Sequence, residues 1–248
     1  MVQKNEILDG LGSLGISRGD VIHMHSSLRS LGPVDGGLDC FTEAVLELLG
    51  DDGVFSVPTH TWMNVGIHQP VFHVVHTPSN LGTYPNYFLS RKDSIRSVHP
   101  SHSVAAIGGR ATEFLEGHEE ETTPVSATSP YGRLIGWKGK IVLFGVNLTR
   151  NTFFHCIEEM AGCGDLWSLS KGTTKRWTID YQGNIRELDY RSHANGVSDH
   201  YYRCESDLLN EGILKQGFVG PAPVKVVDAK GASEWLLPRL QDDPKYFW

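Results

Sequence analysis

Short apolar runs alternate with segments whose apolar residues recur at helical spacing along nearly the whole chain, and this alternation most constrains the fold. Ile7, Leu8, Leu11 and Leu14 have helical period, residues 15–19 punctuate it with two glycines, and Val21-Ile22-His23-Met24-His25 reads as a strand. After the loop 26–32 come Phe41, Val45, Leu48 and Leu49, again at helical spacing, and then a short strand, residues 54–57, ending at Pro58. Two further runs, residues 103–107 and 140–146, are each followed by helical patterns, residues 110–115 and 152–160. Strand, loop, helix and strand in this order predict an α/β fold: a central mixed or mostly parallel sheet with flanking helices.

Residues 178–190 depart from this grammar. Two alternating stretches flank Gln182-Gly183-Asn184, which predicts a β-hairpin excursion at the sheet's edge or over a cleft. Helical spacing returns over residues 208–214 and 229–240, and no Pro/Ser/Gly linker divides the chain, so residues 1–248 are read as a single domain.

Composition excludes several classes. Apolar residues make up 40% and charged residues 21%, a globular balance. No apolar run is long enough to span a bilayer and residues 1–14 do not resemble a signal peptide, so the expected location is cytoplasmic, without membrane partners. Cys40, Cys156, Cys163 and Cys204 are scattered, as free thiols of a reducing compartment would be. A net charge of −7 with no basic stripe argues against nucleic acid and suits a cationic small molecule.

Three constellations bear on chemistry. The loop Ser26-Ser27-Leu28-Arg29-Ser30-Leu31-Gly32 leaves a strand toward a helix, offering backbone N–H groups, hydroxyls and a guanidinium; it fits a pyrophosphate cradle or a serine-rich turn with no ligand. His23, His25, His99 and His102 invite a metal-dependent hydrolase reading. Strand alternation puts His23 and His25 on one face, but no acidic residue or cysteine stands beside them at ligand spacing, so no metal is expected. In Asn151-Thr152-Phe153-Phe154-His155-Cys156-Ile157-Glu158-Glu159, a helix capped by Asn151 or Thr152 puts His155 and Glu158 three apart on one face. A carboxylate on one imidazole nitrogen leaves the other free to accept a proton; equally, the pair could be a core histidine and a solvated helix face.

The ordered set His25-Ser26-Ser27-Leu28-Arg29-Ser30-Leu31-Gly32, Val57-Pro58-Thr59-His60-Thr61-Trp62, Thr77-Pro78-Ser79-Asn80-Leu81-Gly82, His99-Pro100-Ser101-His102-Ser103-Val104, Ser129-Pro130-Tyr131-Gly132-Arg133-Leu134 and Asn151-Thr152-Phe153-Phe154-His155 resembles the aminoglycoside 3-N-acetyltransferase family. The resemblance is strong over residues 19–162 and weaker over 217–237, through Gly220 and Val227-Asp228-Ala229. It implies acetyl-CoA as donor, direct transfer to a primary amine of an amino-sugar or aminoglycoside-like acceptor, His155 as base and Glu158 as its orienting acid. It further implies that His25, Ser26, Ser27, Leu28, Arg29 and Ser30 hold the CoA pyrophosphate. Ser103 and Val104 would line the pantetheine, their backbone N–H groups facing the oxyanion, and Thr59, His60 and His102 would lie on the acceptor side. Residues 61–76 and 191–196 depart from the acidic, pocket-forming stretches of enzymes that act on aminoglycosides. A CoA-binding module without catalysis remains a further alternative, and the oligomeric state is open between monomer and homodimer.

Overall fold

The computed structural model describes residues 1–194 and 196–247. Asn195, within the departing stretch 191–196, and Trp248 lie outside the described residues.

Seven strands form the main sheet: β1 (Val21–Ser26), β2 (Val54–Pro58), β4 (Ile95–Arg96), β5 (Val104–Ile107), β6 (Lys140–Phe144), β9 (Leu214–Val219) and β10 (Ala222–Asp228). Their order is β4-β5-β2-β1-β6-β10-β9. Only the centre, β2-β1-β6, is parallel; β5, β4, β10 and β9 join antiparallel. The sheet is therefore mixed, with a parallel centre and antiparallel wings.

Alternation along the strands sorts the core into two layers. Ile22, Met24, Val142 and Phe144 face α1 (Lys4–Ser13), α2 (Gly37–Leu49) and α3 (Thr83–Ser90). Val21, Ile141 and Leu143 face the opposite layer of α4 (Ala111–Leu115), α5 (Pro130–Gly136), α6 (Phe153–Met160) and α8 (Ala229–Asp242). Because β1 is buried on both faces it reads as a near-continuous apolar run, and its exceptions, His23 and His25, fall on the same face as Val21. Helix starts follow local chemistry: Pro130 opens α5 after Ser129, and Asp228 caps α8 by accepting from the Gly231 N–H at 2.5 Å. The expected cap of α6 is absent, since neither Asn151 nor Thr152 offers its side chain to the helix.

The hairpin, β7 (Thr174–Ile179) and β8 (Ile185–Tyr190), forms a second sheet with β3 (Val71–His73), in the order β3-β7-β8. Its turn is held by Asp180 Oδ1, which accepts from the N–H groups of Gln182 at 2.9 Å and Asn184 at 2.8 Å. The two sheets are joined through Arg96 on β4. Its backbone N–H donates to the Tyr181 hydroxyl at the hairpin turn, and its guanidinium donates to the carbonyls of Val74, Thr77 and Thr59.

Residues 208–214, expected as helix, divide instead. Helix α7 (Glu205–Asn210) stops before Gly212, whose φ of +69° breaks the helix, and Leu214 opens the hairpin β9-β10. Among the described residues no helix is long and apolar enough to cross a membrane.

Candidate active site

Parallel strands β1 and β6 end side by side, and in α/β sheets ligands bind beyond such carboxyl ends. From β1 the chain passes His25 and Ser26 into a 3₁₀ turn, Leu28–Leu31. The Ser27 N–H donates to the Phe144 carbonyl at 2.8 Å, while the Ser30 N–H and hydroxyl both donate to the Ser27 carbonyl. The Ser30 hydroxyl is thus committed internally. The first N–H groups of the turn, those of Leu28 and Arg29, have no acceptor within it, as at any helix start. Gly145, at the end of β6, has φ +66°, and a Cβ there would overlap Ser30 Oγ and the Ser27 carbonyl. A glycine lets the two loops meet.

Beyond β6 a second 3₁₀ turn, Leu148–Arg150, leads into α6. His155 and Glu158 share one face of this helix, with Nδ1 at 2.7 Å from Glu158 Oε2. A carboxylate partner assigns the proton to Nδ1. The Tyr201 hydroxyl lies 2.7 Å from the same nitrogen and hydrogen-bonds to Glu158 as well; burial and that carboxylate's charge hold its ionisation well above the ordinary phenol range. Glu158 is fully buried, whereas His155 lines a cavity and its Nε2 has no protein partner among the described residues.

More histidines pack behind the dyad. The His193 ring lies 4.3 Å from that of His155 and 5.3 Å from that of His102, and His102 lies 4.3 Å from His60. His99 stacks on His118 at 4.4 Å. His23, His25, His60, His99, His102 and His118 are buried and His193, its side chain 12% exposed, nearly so; burial is the first cause that holds each below the usual histidine value, His25 and His99 down to about 3. They are neutral donors and acceptors: His99 Nδ1 accepts from the His102 N–H at 2.8 Å, so Nε2 carries the proton to the Thr123 carbonyl at 3.1 Å. His60 bonds the Tyr131 hydroxyl, and His23 the Ser56 hydroxyl. Glu159 takes no part in the dyad. It accepts from Thr123 and the Val125 N–H and pairs with His193, and burial raises its ionisation. Among the described residues no three His, Cys, Asp or Glu side chains converge as a metal cage.

The cavity holds about 540 Å³. One wall is the main-sheet edge, with His25, Thr149, Arg150, Thr152 and His155; another carries His60, Ser101, His102 and His193. The third belongs to the second sheet and its loops, with Arg176, Tyr190, Ser192 and, at the mouth, the largely exposed Trp62 and Ile67.

Of the residues expected at the site, His155, His25, His60 and His102 reach this cavity. Ser26 to Ser30 stand at its main-sheet edge without lining it. Thr59, Ser103 and Val104 do not reach it. Thr59 and Ser103 are fully buried and hydrogen-bond each other, and the Val104 N–H, expected to face an oxyanion, donates to Ser97 Oγ at 2.9 Å. Their place is structural, locking β2 to β5. The sequence reading missed Tyr201, His193, Arg176 and Tyr190, which come from segments without a motif; only the density of His and Tyr over residues 190–202 hinted at them.

The profile of the family described as aminoglycoside 3-N-acetyltransferase matches residues 24–241. Aminoglycoside N(3)-acetyltransferase IV of Salmonella sp is 27% identical over 99% of this chain and 90% of its own length. Aminoglycoside N(3)-acetyltransferase III of Serratia marcescens is 30% identical over 89% of this chain and 90% of its own. Among solved structures, the aminoglycoside acetyltransferase AAC(3)-Xa superposes with a TM-score of 0.84 at 23% identity, covering 97% of this chain and 93% of its own. A mutant AAC(3)-IVa in complex with apramycin superposes with a TM-score of 0.77 at 26% identity, covering 98% and 93%. With a profile match across most of its length and an α/β fold shared with these enzymes, the chain belongs to the aminoglycoside 3-N-acetyltransferase family and is an acyltransferase.

Proposed function

We propose that this protein transfers an acetyl group from acetyl-CoA directly to a primary amine of an amino-sugar or aminoglycoside-like acceptor, with His155 as general base. The observation that carries this reading is the dyad: a carboxylate on Nδ1 and an open Nε2 at the wall of a cavity of small-molecule size. Relatives named for N(3)-acetylation of aminoglycosides support the acetyl donor and the amine acceptor, and apramycin in the AAC(3)-IVa complex supports an acceptor built of amino-sugars.

Acetyl-CoA brings a thioester and a phosphate tail. The residues at the main-sheet edge suit the tail: two serine hydroxyls at Ser26 and Ser27, the first-turn N–H groups of Leu28 and Arg29, and the guanidinium groups of Arg29 and Arg150. The acceptor nitrogen attacks the thioester carbonyl carbon while its proton passes to His155 Nε2. The imidazolium so formed is stabilised through Nδ1 by Glu158. Collapse breaks the C–S bond, the thiolate takes the proton from Nε2, and amide and CoA thiol leave. No side chain need carry the acetyl group, and the cysteines suit none: Cys156, Cys163 and Cys204 are buried, their thiols pushed up by burial, and Cys40 lies away on α2.

The test pairs thiol release with protein mass. Acetyl-CoA alone leaves the protein mass unchanged, and adding an amino-sugar acceptor releases CoA thiol in step with amide formation. A protein carrying one acetyl group at Ser101 or a cysteine, competent to pass it on, would overturn direct transfer.

A further inference from the structure

One wall of the cavity is cationic and has no counter-charge. Arg176, on β7, is only 5% exposed, yet its one hydrogen bond to protein among the described residues is from Nη1 to the Lys175 carbonyl at 2.9 Å. Its guanidinium lies 6.0 Å from the Tyr190 ring centroid. Arg96 shows what a buried arginine needs when its role is structural. At 3% exposure it is fully engaged by three carbonyls and by Ser103 Oγ. Arg176 has no such set, and it lines the cavity.

A guanidinium walled off from bulk water at a cavity lining loses hydration, and burial draws Arg176 below the ordinary arginine range. The cost is relieved when an anion enters, because the planar fork matches a phosphate or carboxylate with two parallel hydrogen bonds. Arg150 is the cavity's other guanidinium, on the main-sheet edge beside the donor loop. No Asp or Glu stands among the described lining residues. The net charge of −7 is therefore carried outside the site, and a polycation would meet two arginines and no carboxylate inside it.

We infer that Arg176 is an anion-recognition residue of the acceptor subsite, and that the preferred acceptor is a primary amine that also carries a phosphate or a carboxylate. This rests on the acyl-transfer reading above and narrows its substrate class. Arg176 is placed on the acceptor side because it belongs to the second sheet, near Tyr190, whereas the proposed donor loop and Arg150 follow strands of the first.

The experiment compares glucosamine, glucosamine 6-phosphate, glucosaminuronate and kanamycin as acceptors for the wild type, Arg176→Gln and Arg176→Lys. The wild type should favour one of the two anionic sugars over glucosamine by about 10- to 100-fold in kcat/KM, the range of hydrogen bonds to a charged group. Which one it favours separates phosphate from carboxylate. Arg176→Gln should bring that ratio close to one, Arg176→Lys should keep part of it, and the loss should fall on the acceptor's KM, not on that of acetyl-CoA. Preference for kanamycin or glucosamine, or an equal loss for every acceptor, would overturn the inference; a loss confined to acetyl-CoA KM would place Arg176 with the donor and overturn it too. Calorimetric binding of glucosamine 6-phosphate and of glucosaminuronate without acetyl-CoA separates this from failure of acyl transfer. If the wild type binds one of them more tightly than glucosamine and Arg176→Gln does not, while no acetyl-CoA is turned over, the acyl-transfer reading alone falls. A melting shift of Arg176→Gln with CoA verifies that the variant is folded.

Discussion

Within the dyad the two partners have unequal tasks, and their variants should differ accordingly. In the proposed mechanism His155 holds the proton in flight, so His155→Ala should lower turnover by roughly 10²- to 10⁴-fold, with the CoA melting shift retained because His155 lies on α6 and the proposed phosphate contacts lie on the turn after β1. In the same mechanism Glu158 acts through the imidazole, being fully buried and 2.7 Å from Nδ1. In Glu158→Gln the neutral amide keeps the shape and removes the charge, so turnover should fall less than in His155→Ala. The loss should fall on kcat, with the KM for acetyl-CoA little changed, because the carboxylate bears on the site through the imidazole. An unchanged kcat would assign the orienting role elsewhere, Tyr201 being the next group on Nδ1. The dyad was legible in the sequence because both members lie on one helix face, where spacing of three guarantees proximity. Tyr201, His193 and Arg176 were not, because each arrives from a distant segment and long-range packing leaves no local period.

Secondary elements tell a similar story. The unit from β1 through α2 to β2 could be read directly, since its alternation and its glycines are local signals. Strand direction could not, because β5 and β10 are apolar runs like β1, and only the path of the connecting chain decides that they enter antiparallel. Helical spacing over residues 208–214 misled because Leu208 and Leu214 both face the core, one from a helix and the other from a strand. At this scale Gly145 carries a prediction. Its positive φ and its closeness to the Ser27–Ser30 turn leave no room for a methyl group. Gly145→Ala should cost about 1–3 kcal/mol of stability, from backbone strain plus overpacking. It should also weaken CoA binding in calorimetry by displacing the donor loop. A variant with wild-type CoA affinity would detach that loop from the donor.

For the molecule as a whole, the buried histidines set the acid limit. Seven of them have folded-state ionisation depressed below the unfolded value near 6.5, so the unfolded chain binds more protons below that pH, and stability falls with acidification. The loss starts near pH 6.5 and continues to about 3, where His25 and His99 themselves charge in the folded state. His25 and His99 each contribute up to about 1.4 kcal/mol per pH unit in that window, so denaturant unfolding between pH 7 and 5 should show a decline of several kcal/mol. A flat stability profile across that range would mean that these rings are solvated. The division of the site between two sheets has a different consequence. The proposed donor loop belongs to the main sheet, whereas Arg176 and Tyr190 belong to the second, which is tied to the elements around the first by Arg96, by Tyr181, by the Ser101–Tyr190 hydroxyl contact and by the Arg186–Glu120 ion pair. Selection could therefore exchange the floor under the acceptor while leaving the chemistry alone. A graft of residues 62–73 and 174–194 from a relative with another substrate should carry that relative's choosiness with it, and divergence in this family would run by replacing a cassette, not by remaking the scaffold.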